Sequence, residues 1–135
     1  MKNEIINISE TQFELIKLKV NPNETFLVEL DGNNIQNEKQ LFDVMEKEYD
    51  LHTLNGTWGR NWAAFDDLMT DLDWIDYDKH ILTIFSFKTF MSKDLNGKRL
   101  FLEYFEDSIL PFWEEEVLHC VVDGKTKEFT VYLID

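Results

Sequence analysis

The chain is poor in cysteine and in positive charge and has no long hydrophobic run, and each absence excludes a class of protein. A single cysteine, Cys120, excludes an internal disulfide and fits a reducing cytoplasm. No apolar run approaches the ~20 residues that span a bilayer, and the start of the chain, with Glu4 and no apolar core behind it, does not resemble a secretion signal. We therefore expect a cytoplasmic protein with no membrane partner.

Basic residues are scarce relative to acidic ones. The chain has 13 Lys and Arg against 27 Asp and Glu, which gives a formal net charge of -14 at pH 7. Nucleic acid is not expected as a direct ligand, because binding to phosphates requires a basic patch. An acidic excess serves solubility in many cytoplasmic proteins, and it also favours association with a basic protein partner.

Residue patterns typical of metal sites and of enzymes are missing from the sequence. His52, His80 and His119 lie far apart and lack the spacing of helical metal ligands. The acidic run at 71–78 lacks the glycine and the glutamate that an EF-hand calcium loop requires. No phosphate loop and no nucleophile paired with a histidine is found. We therefore expect no metal, no cofactor and no catalysis. A hydrolase that uses its clustered acidic residues is the alternative to this expectation.

The length of the chain and the order of its predicted elements indicate one small α/β domain. With 135 residues, of which 44% are hydrophobic, the chain can form one globular core. Helices join apolar strands, which predicts a mainly parallel three-stranded sheet with packed helices. The predicted elements are a strand at 25–30, a turn at 31–34, a helix at 38–49, a helix at 58–72, a strand at 81–87, a loop at 91–98, a helix at 99–119 that Pro111 kinks or breaks, and a strand at 129–134.

The helix at 38–49 and the loop that follows it carry local sequence signals. Asn37 with Gln40 three residues later predicts the N-terminal cap of the helix. The inward stripe of this helix consists of Leu41, Phe42, Met45 and Tyr49. The loop at 50–59 is predicted to pack through Leu51, Leu54 and Trp58 and to present the next helix.

The first 24 residues give two conflicting signals. Ser9 followed by Gln12 fits a capping box that would start a short helix. The alternation at 13–20, followed by a turn around Pro22, fits an extra N-terminal strand instead. We favour the strand, in an antiparallel hairpin with the strand at 25–30. We interpret residues 1–24 as an extension packed on a domain at 25–135.

The predicted helix at 58–72 has two contrasting faces. At about 100° per residue, its bulky residues fall on one side, and these are Trp62, Phe65, Met69 and Leu72. The opposite side carries small or acidic residues, namely Ala63, Ala64, Asp67, Thr70 and Asp71. No cation occurs between Arg60 and Lys79, whereas solvated helix faces usually mix lysine with glutamate. This asymmetry is typical of a surface selected for a partner.

Three stretches of the chain resemble the barstar family of intracellular ribonuclease inhibitors. The first is Glu29-Leu30-Asp31-Gly32, and the second runs from Leu41 to Leu51. The third is the motif Trp58-Gly59-Arg60-Asn61-Trp62-Ala63-Ala64-Phe65-Asp66-Asp67-Leu68. The last helix and the closing strand resemble the family more loosely, so that the resemblance covers most of residues 25–135. It implies the small α/β fold of that family.

The resemblance implies that the helix at 58–72 and the loop before it plug the active site of a nuclease. Asp67 matches the inhibitory aspartate of the family, and Gly59, Asn61 and Thr70 match positions of the contact region. In the family, an acidic residue of the last helix also takes part in binding the nuclease. In this chain that residue is either Asp107 or Glu115. The partner-binding residues implied on the loop and the helix are Thr57, Trp58, Gly59, Asn61, Ala63, Asp66, Asp67, Thr70 and Asp71.

Four of these positions depart from the family pattern. Ala63 stands where the family has a second inhibitory acid, Asp66 replaces an aromatic residue, and Thr57 with Trp58 replaces two tyrosines. On the residues alone, Asp67 is either an exposed acid without a role or a binding group. Trp58 is either a core anchor or an interface aromatic, and Arg60 is either a surface residue or a partner contact.

A ribonuclease active site holds phosphate with Arg, Lys and His, and an aspartate on a rigid helix can replace that phosphate. We therefore predict a cytoplasmic inhibitor or immunity protein, monomeric when free, that binds a basic ribonuclease or toxin nuclease. The alternative is an acidic adaptor that binds a DNase or a non-nuclease toxin through the same surface.

Overall fold

Four parallel strands form the sheet at the centre of the fold. In the computed structural model, which describes residues 2–53 and 56–135, these strands are β1 (Glu4–Ile8), β2 (Thr25–Asp31), β3 (Lys79–Phe85) and β4 (Glu128–Ile134). Their order in the sheet is β1-β4-β3-β2, and every neighbouring pair is parallel. The predicted parallel α/β fold is confirmed, with four strands rather than three because the N-terminal segment adds one at the edge.

The helices are α1 (Glu10–Leu18), α2 (Glu38–Tyr49), α3 (Trp62–Met69), α4 (Leu95–Tyr104) and α5 (Val117–Cys120). Two π-helical segments, Phe105–Ile109 and Phe112–Glu116, join α4 to α5, and a short 3-10 helix at Gly32–Asn34 follows β2. No helix in the described ranges is long and apolar enough to cross a membrane.

The N-terminal segment folds differently from the predicted hairpin, and that prediction is wrong. Residues Glu10–Leu18 form a helix, because Ser9 and Gln12 complete the capping box with hydrogen bonds of 3.1 Å and 2.8 Å. The ring of Phe13, which is buried, packs against Phe85 and Tyr132 on the sheet. Helix α1 therefore covers one face of the sheet. The division into an extension at 1–24 and a domain at 25–135 stays a prediction.

The helical region before β4 is longer than predicted. Asp94 accepts a hydrogen bond of 2.9 Å from the backbone N–H of Gly97 and thereby starts α4 at Leu95, so the predicted loop at 91–98 is wrong beyond Asp94. Pro111 does not end the helix. The two π-helical segments lie on either side of it, where their wider turns accommodate the missing N–H group.

The main core lies between the sheet and helices α2, α3 and α4. The inner face of the sheet contributes Val28, Leu82 and Val131, all of which are buried. The predicted cap at Asn37 is confirmed by a bond of 2.9 Å from the N–H of Gln40. The predicted stripe of α2 is buried as well. Of the predicted loop anchors, Leu51 and Trp58 are buried, whereas Leu54 lies outside the described residues.

Candidate partner-binding site

Helix α3 is shorter than the sequence pattern predicts. It begins after Asn61, whose side chain accepts a hydrogen bond of 2.8 Å from the N–H of Ala64. Arg60 and Leu72 both adopt left-handed backbone angles, with φ near 49°, and they turn the chain before and after the helix. A Cβ at Gly59 would lie 2.8 Å from the side-chain nitrogen of Asn61, so a larger residue here would have to displace the side chain that caps α3.

As predicted, one side of α3 faces the core and the other faces the solvent. Phe65, Met69 and the following Leu72 are fully buried, and Trp62 is half-buried against the same core. On the opposite side, the exposed or half-buried residues are Ala63, Ala64, Asp67, Thr70 and Asp71. We refer to Ala63, Asp67, Thr70 and Asp71 as the acidic face. It stays uncovered by the N-terminal segment, because α1 packs on the sheet.

Asp67 and Asp66 are neighbours in sequence but have different surroundings. Asp67 is exposed, and within residues 2–53 and 56–135 no side chain forms a hydrogen bond or an ion pair with its carboxylate. Asp66 accepts a hydrogen bond of 2.7 Å from the Ser108 hydroxyl and so joins α3 to the first π-helical segment. The Thr70 hydroxyl donates to the Asp66 carbonyl at 2.8 Å. Asp67 is therefore the carboxylate of this helix that is available to a partner.

The loop before α3 also contains both exposed residues and a buried one. Thr57, Gly59 and Asn61 are exposed, whereas Trp58 is buried. The Trp58 indole N–H donates to the Glu46 carboxylate at 2.7 Å, and the ring contacts Phe42 edge-on with centroids 5.2 Å apart. Of the two roles left open for Trp58, the geometry supports the core anchor.

The acidic face continues into a groove of about 530 Å³ at the C-terminal end of α3. Its lining includes Thr70 and Asp71, and the carboxylates that follow are Asp73, Asp76 and Asp78. Partial burial, and then the nearby Asp73 carboxylate, raise the pKa of Asp71. Across the groove, the Lys127 ammonium donates to the Tyr77 carbonyl at 2.6 Å. The carboxylates give this end of the surface a negative potential.

The two candidate acids of the last helical region both lie on segments that contact α3. Asp107 is exposed and precedes Ser108, the residue bonded to Asp66. Glu115 is exposed in the second π-helical segment, where the indole N–H of Trp113 donates to the Met69 carbonyl at 2.8 Å. The fold therefore brings both segments against α3 and does not single out either acid.

In the part of the chain that the structure describes, no three His, Cys, Asp or Glu side chains form a cluster that could hold a metal ion. The contacts made by Glu46 and Ser108 are not predicted by the sequence pattern, because both join residues far apart in the chain.

Comparison with known families gives a match over most of the chain. Residues 25–132 match the family model described as Barstar (barnase inhibitor). Individual curated proteins give no match. The matched region contains β2, β3, helices α2 to α5 and most of β4, and it therefore includes the whole acidic face and the loop at 57–61.

Proposed function

Because this chain belongs to the barstar family, we propose that it is a stoichiometric inhibitor, or immunity protein, of a basic ribonuclease. Family membership supports a ribonuclease-inhibitor-like protein and a protein partner. The finer proposal is that the loop at 57–61 and the acidic face cover the active site of the nuclease. In this mechanism the inhibitor occupies the active site, without turnover and without a cofactor.

The observation that carries the proposal is the free carboxylate of Asp67. It stands on a helix that is anchored in the core by Phe65 and Met69, and it shares the exposed side with the small side chain of Ala63. A rigid anion among small neighbours can approach a cleft closely and take the place of a substrate phosphate. The cationic groups of such a cleft would compensate the desolvation of the carboxylate, which is costly only when the charge is left unpaired.

The neighbouring residues have supporting roles in this proposal. Thr57, Gly59 and Asn61 would contact the partner from the loop, and Ala63, Thr70 and Asp71 from the helix. The acids after the helix would mainly raise the association rate by attracting a basic protein. Asp107 and Glu115 are the candidates for a second charged contact. Trp58 and Asp66, which bond within the chain, would act by holding the surface in shape.

The proposal predicts that substitution of Asp67 by alanine weakens binding without unfolding the protein. Barnase, the ribonuclease named in the family description, is the first probe. The wild-type chain should abolish its activity at one equivalent, and Asp67→Ala should raise the dissociation constant at least tenfold. Loss of one partner of a buried, hydrogen-bonded charge pair at a protein interface costs about 2–5 kcal/mol. The Tm should stay nearly unchanged, because the side chain is exposed.

Glu14→Ala on α1 is the matched control, because it removes an exposed acid from the helix that packs on the sheet. Equal affinity of Asp67→Ala and the wild type would reject the assignment of Asp67. If barnase is not inhibited, a pull-down from the secreted and toxin proteins of the source cell identifies the partner. Recovery of a DNase or a non-nuclease toxin there would favour the acidic adaptor. A cytoplasmic location and a monomeric free state are part of the same proposal.

A further inference from the structure

Arg60 is the cation nearest in sequence to the acidic face, and the fold holds it against α2. One nitrogen of its guanidinium forms an ion pair with the Asp43 carboxylate, and the other lies 3.3 Å from the Glu46 carboxylate. Lys39 approaches the same Asp43 at 3.0 Å. Asp43 and Glu46 are three residues apart on α2 and therefore lie on the same side of that helix.

Glu46 connects Arg60 to the buried part of the loop. The same Oε1 atom of Glu46 accepts from the Trp58 indole N–H at 2.7 Å and from Arg60 at 3.3 Å. The Arg60 guanidinium also lies 5.7 Å from the centre of the Trp58 ring. We refer to Asp43, Glu46, Trp58 and Arg60 as the loop clamp. It joins the loop before α3 to the neighbouring helix α2 through two side chains, Trp58 and Arg60, on either side of Gly59.

The backbone at Arg60 needs such an anchor. With φ near 49°, Arg60 is in the left-handed region, which an arginine seldom adopts unless surrounding contacts hold it there. The next residue is Asn61, which caps α3, so the direction in which α3 leaves the loop depends on this turn. The exposed residues Thr57, Gly59 and Asn61 flank the two anchored ones.

We propose that Arg60 is a positioning residue for partner binding, which the Asp43 and Glu46 carboxylates hold so that the loop at 57–61 is preorganised. This inference rests on the proposed function. Preorganisation improves affinity because the loop does not have to be ordered when the partner binds. The two carboxylates also offset the positive charge of Arg60 at the border of a surface that would meet a cationic cleft.

Arg60→Ala gives a test in which two explanations predict opposite changes in affinity for the nuclease. If charge alone mattered, removal of a cation from the inhibitor would strengthen its binding to a basic nuclease. If Arg60 positions the loop, Arg60→Ala weakens binding. We expect the dissociation constant for barnase to rise about tenfold, mainly through faster dissociation. Arg60→Lys, which keeps the charge and part of the reach, should recover part of the affinity.

Lys93→Ala is the matched control, since it removes an exposed cation that lies outside the loop clamp. This variant should bind as the wild type does or slightly more tightly. Arg60→Ala binding as tightly as Lys93→Ala would overturn the positioning role. Glu46→Gln removes the charge that holds Arg60 but keeps an oxygen that can accept a hydrogen bond from the Trp58 indole. This variant should weaken binding as Arg60→Ala does.

A measurement on the free protein separates failure of the clamp from failure of the proposed function. Hydrogen exchange of the Trp58 indole N–H, followed by NMR, should accelerate about tenfold in Arg60→Ala, with little change in Tm. An unchanged exchange rate in both Arg60→Ala and Glu46→Gln would reject the clamp even if the wild type inhibits barnase. Faster exchange in a chain that does not bind barnase would support the clamp and count against barnase as the target.

Discussion

Helices α2 and α3 pack against the same core, but their charges are arranged differently. Helix α2 has Glu38 in its first turn and Lys47 in its last, and Lys39 pairs with Asp43 at 3.0 Å one turn later. Helix α3 has no acid in its first turn and no base in its last. Its acids, Asp66 and Asp67, lie near the C-terminal end instead.

At the C-terminal end of α2, Lys47 partly offsets the acids Glu46 and Glu48, whereas no base offsets Asp66 and Asp67 at the C-terminal end of α3. Negative charge near a helix C-terminus costs about 0.3–1 kcal/mol at exposed positions. The acids of α3 are therefore placed where they do not help the helix to form. Local conflicts of this kind are expected at functional surfaces, where stability is given up for binding. The comparison thus agrees with the proposal that the acidic face serves a partner.

The undersides of the two helices should be equally important for stability, and here the largest effects are expected. Phe65→Ala and Met45→Ala each remove a fully buried side chain and leave a cavity in one shared core. The free energy of unfolding should fall by about 3–5 kcal/mol for Phe65→Ala and about 2–5 kcal/mol for Met45→Ala, measured by denaturant titration. A loss below about 1 kcal/mol for Phe65→Ala would contradict the packing of α3. Leu118→Ala, at an exposed position of α5, is the control.

Substitution of the N-terminal cap residues should reduce stability less than the core substitutions do. It should also show which of the two helices takes part in binding. Asn37 and Asn61 make the same hydrogen bond, at 2.9 Å and 2.8 Å, to the N–H three residues later. Alanine at either position should lower the free energy of unfolding by about 1 kcal/mol. Only Asn61→Ala should also weaken binding of the nuclease, because Asn61 belongs to the loop that is proposed to touch it. Equal binding by the two variants would show that the loop has no special role.

The pH dependence of stability should have opposite signs for Asp43 on α2 and for Asp71 just after α3, and these are the smallest effects. Hydrogen bonds from Lys39, and then from Arg60, lower the pKa of Asp43 below its usual 3.8. The stabilisation from these pairs is therefore present above the ordinary pKa and is lost as the pH falls through the lower, folded one. The pKa of Asp71 is raised, so its ionisation costs stability at neutral pH; that cost decreases as the pH falls below the raised, folded pKa and is gone below the ordinary one.

Thermal unfolding of two asparagine variants measures this contrast. At pH 7, Asp43→Asn should lower the Tm and Asp71→Asn should raise it, in both cases by less than the cap substitutions do. Both differences should vanish at a pH well below 3.8, where the wild-type carboxylates are protonated too. A lower Tm for Asp71→Asn at pH 7 would mean that the carboxylate makes a favourable contact.

The sequence predicts the elements that have strong local signals, and it misleads where two signals compete. Asn37 identifies the start of α2, whereas the apolar pattern extends the predicted helix at 58–72 beyond both ends of α3 and misses the cap at Asn61. The alternation at 13–20 outweighs the Ser9 capping box in the prediction, but the helix forms and buries Phe13 against the sheet. Periodicity over eight residues does not distinguish a strand from a short helix unless the packing partner is known.

The division of α3 into a buried side and an acidic side follows from the sequence alone, because helical spacing fixes which side chains share a face. The same holds for the excess of negative charge, which is a matter of composition. Only the tertiary structure decides which acid is free. Ser108 lies 42 residues from Asp66 and engages its carboxylate, while Asp67 stays exposed. Contacts between distant segments exist only once the chain is folded, and no local pattern encodes them.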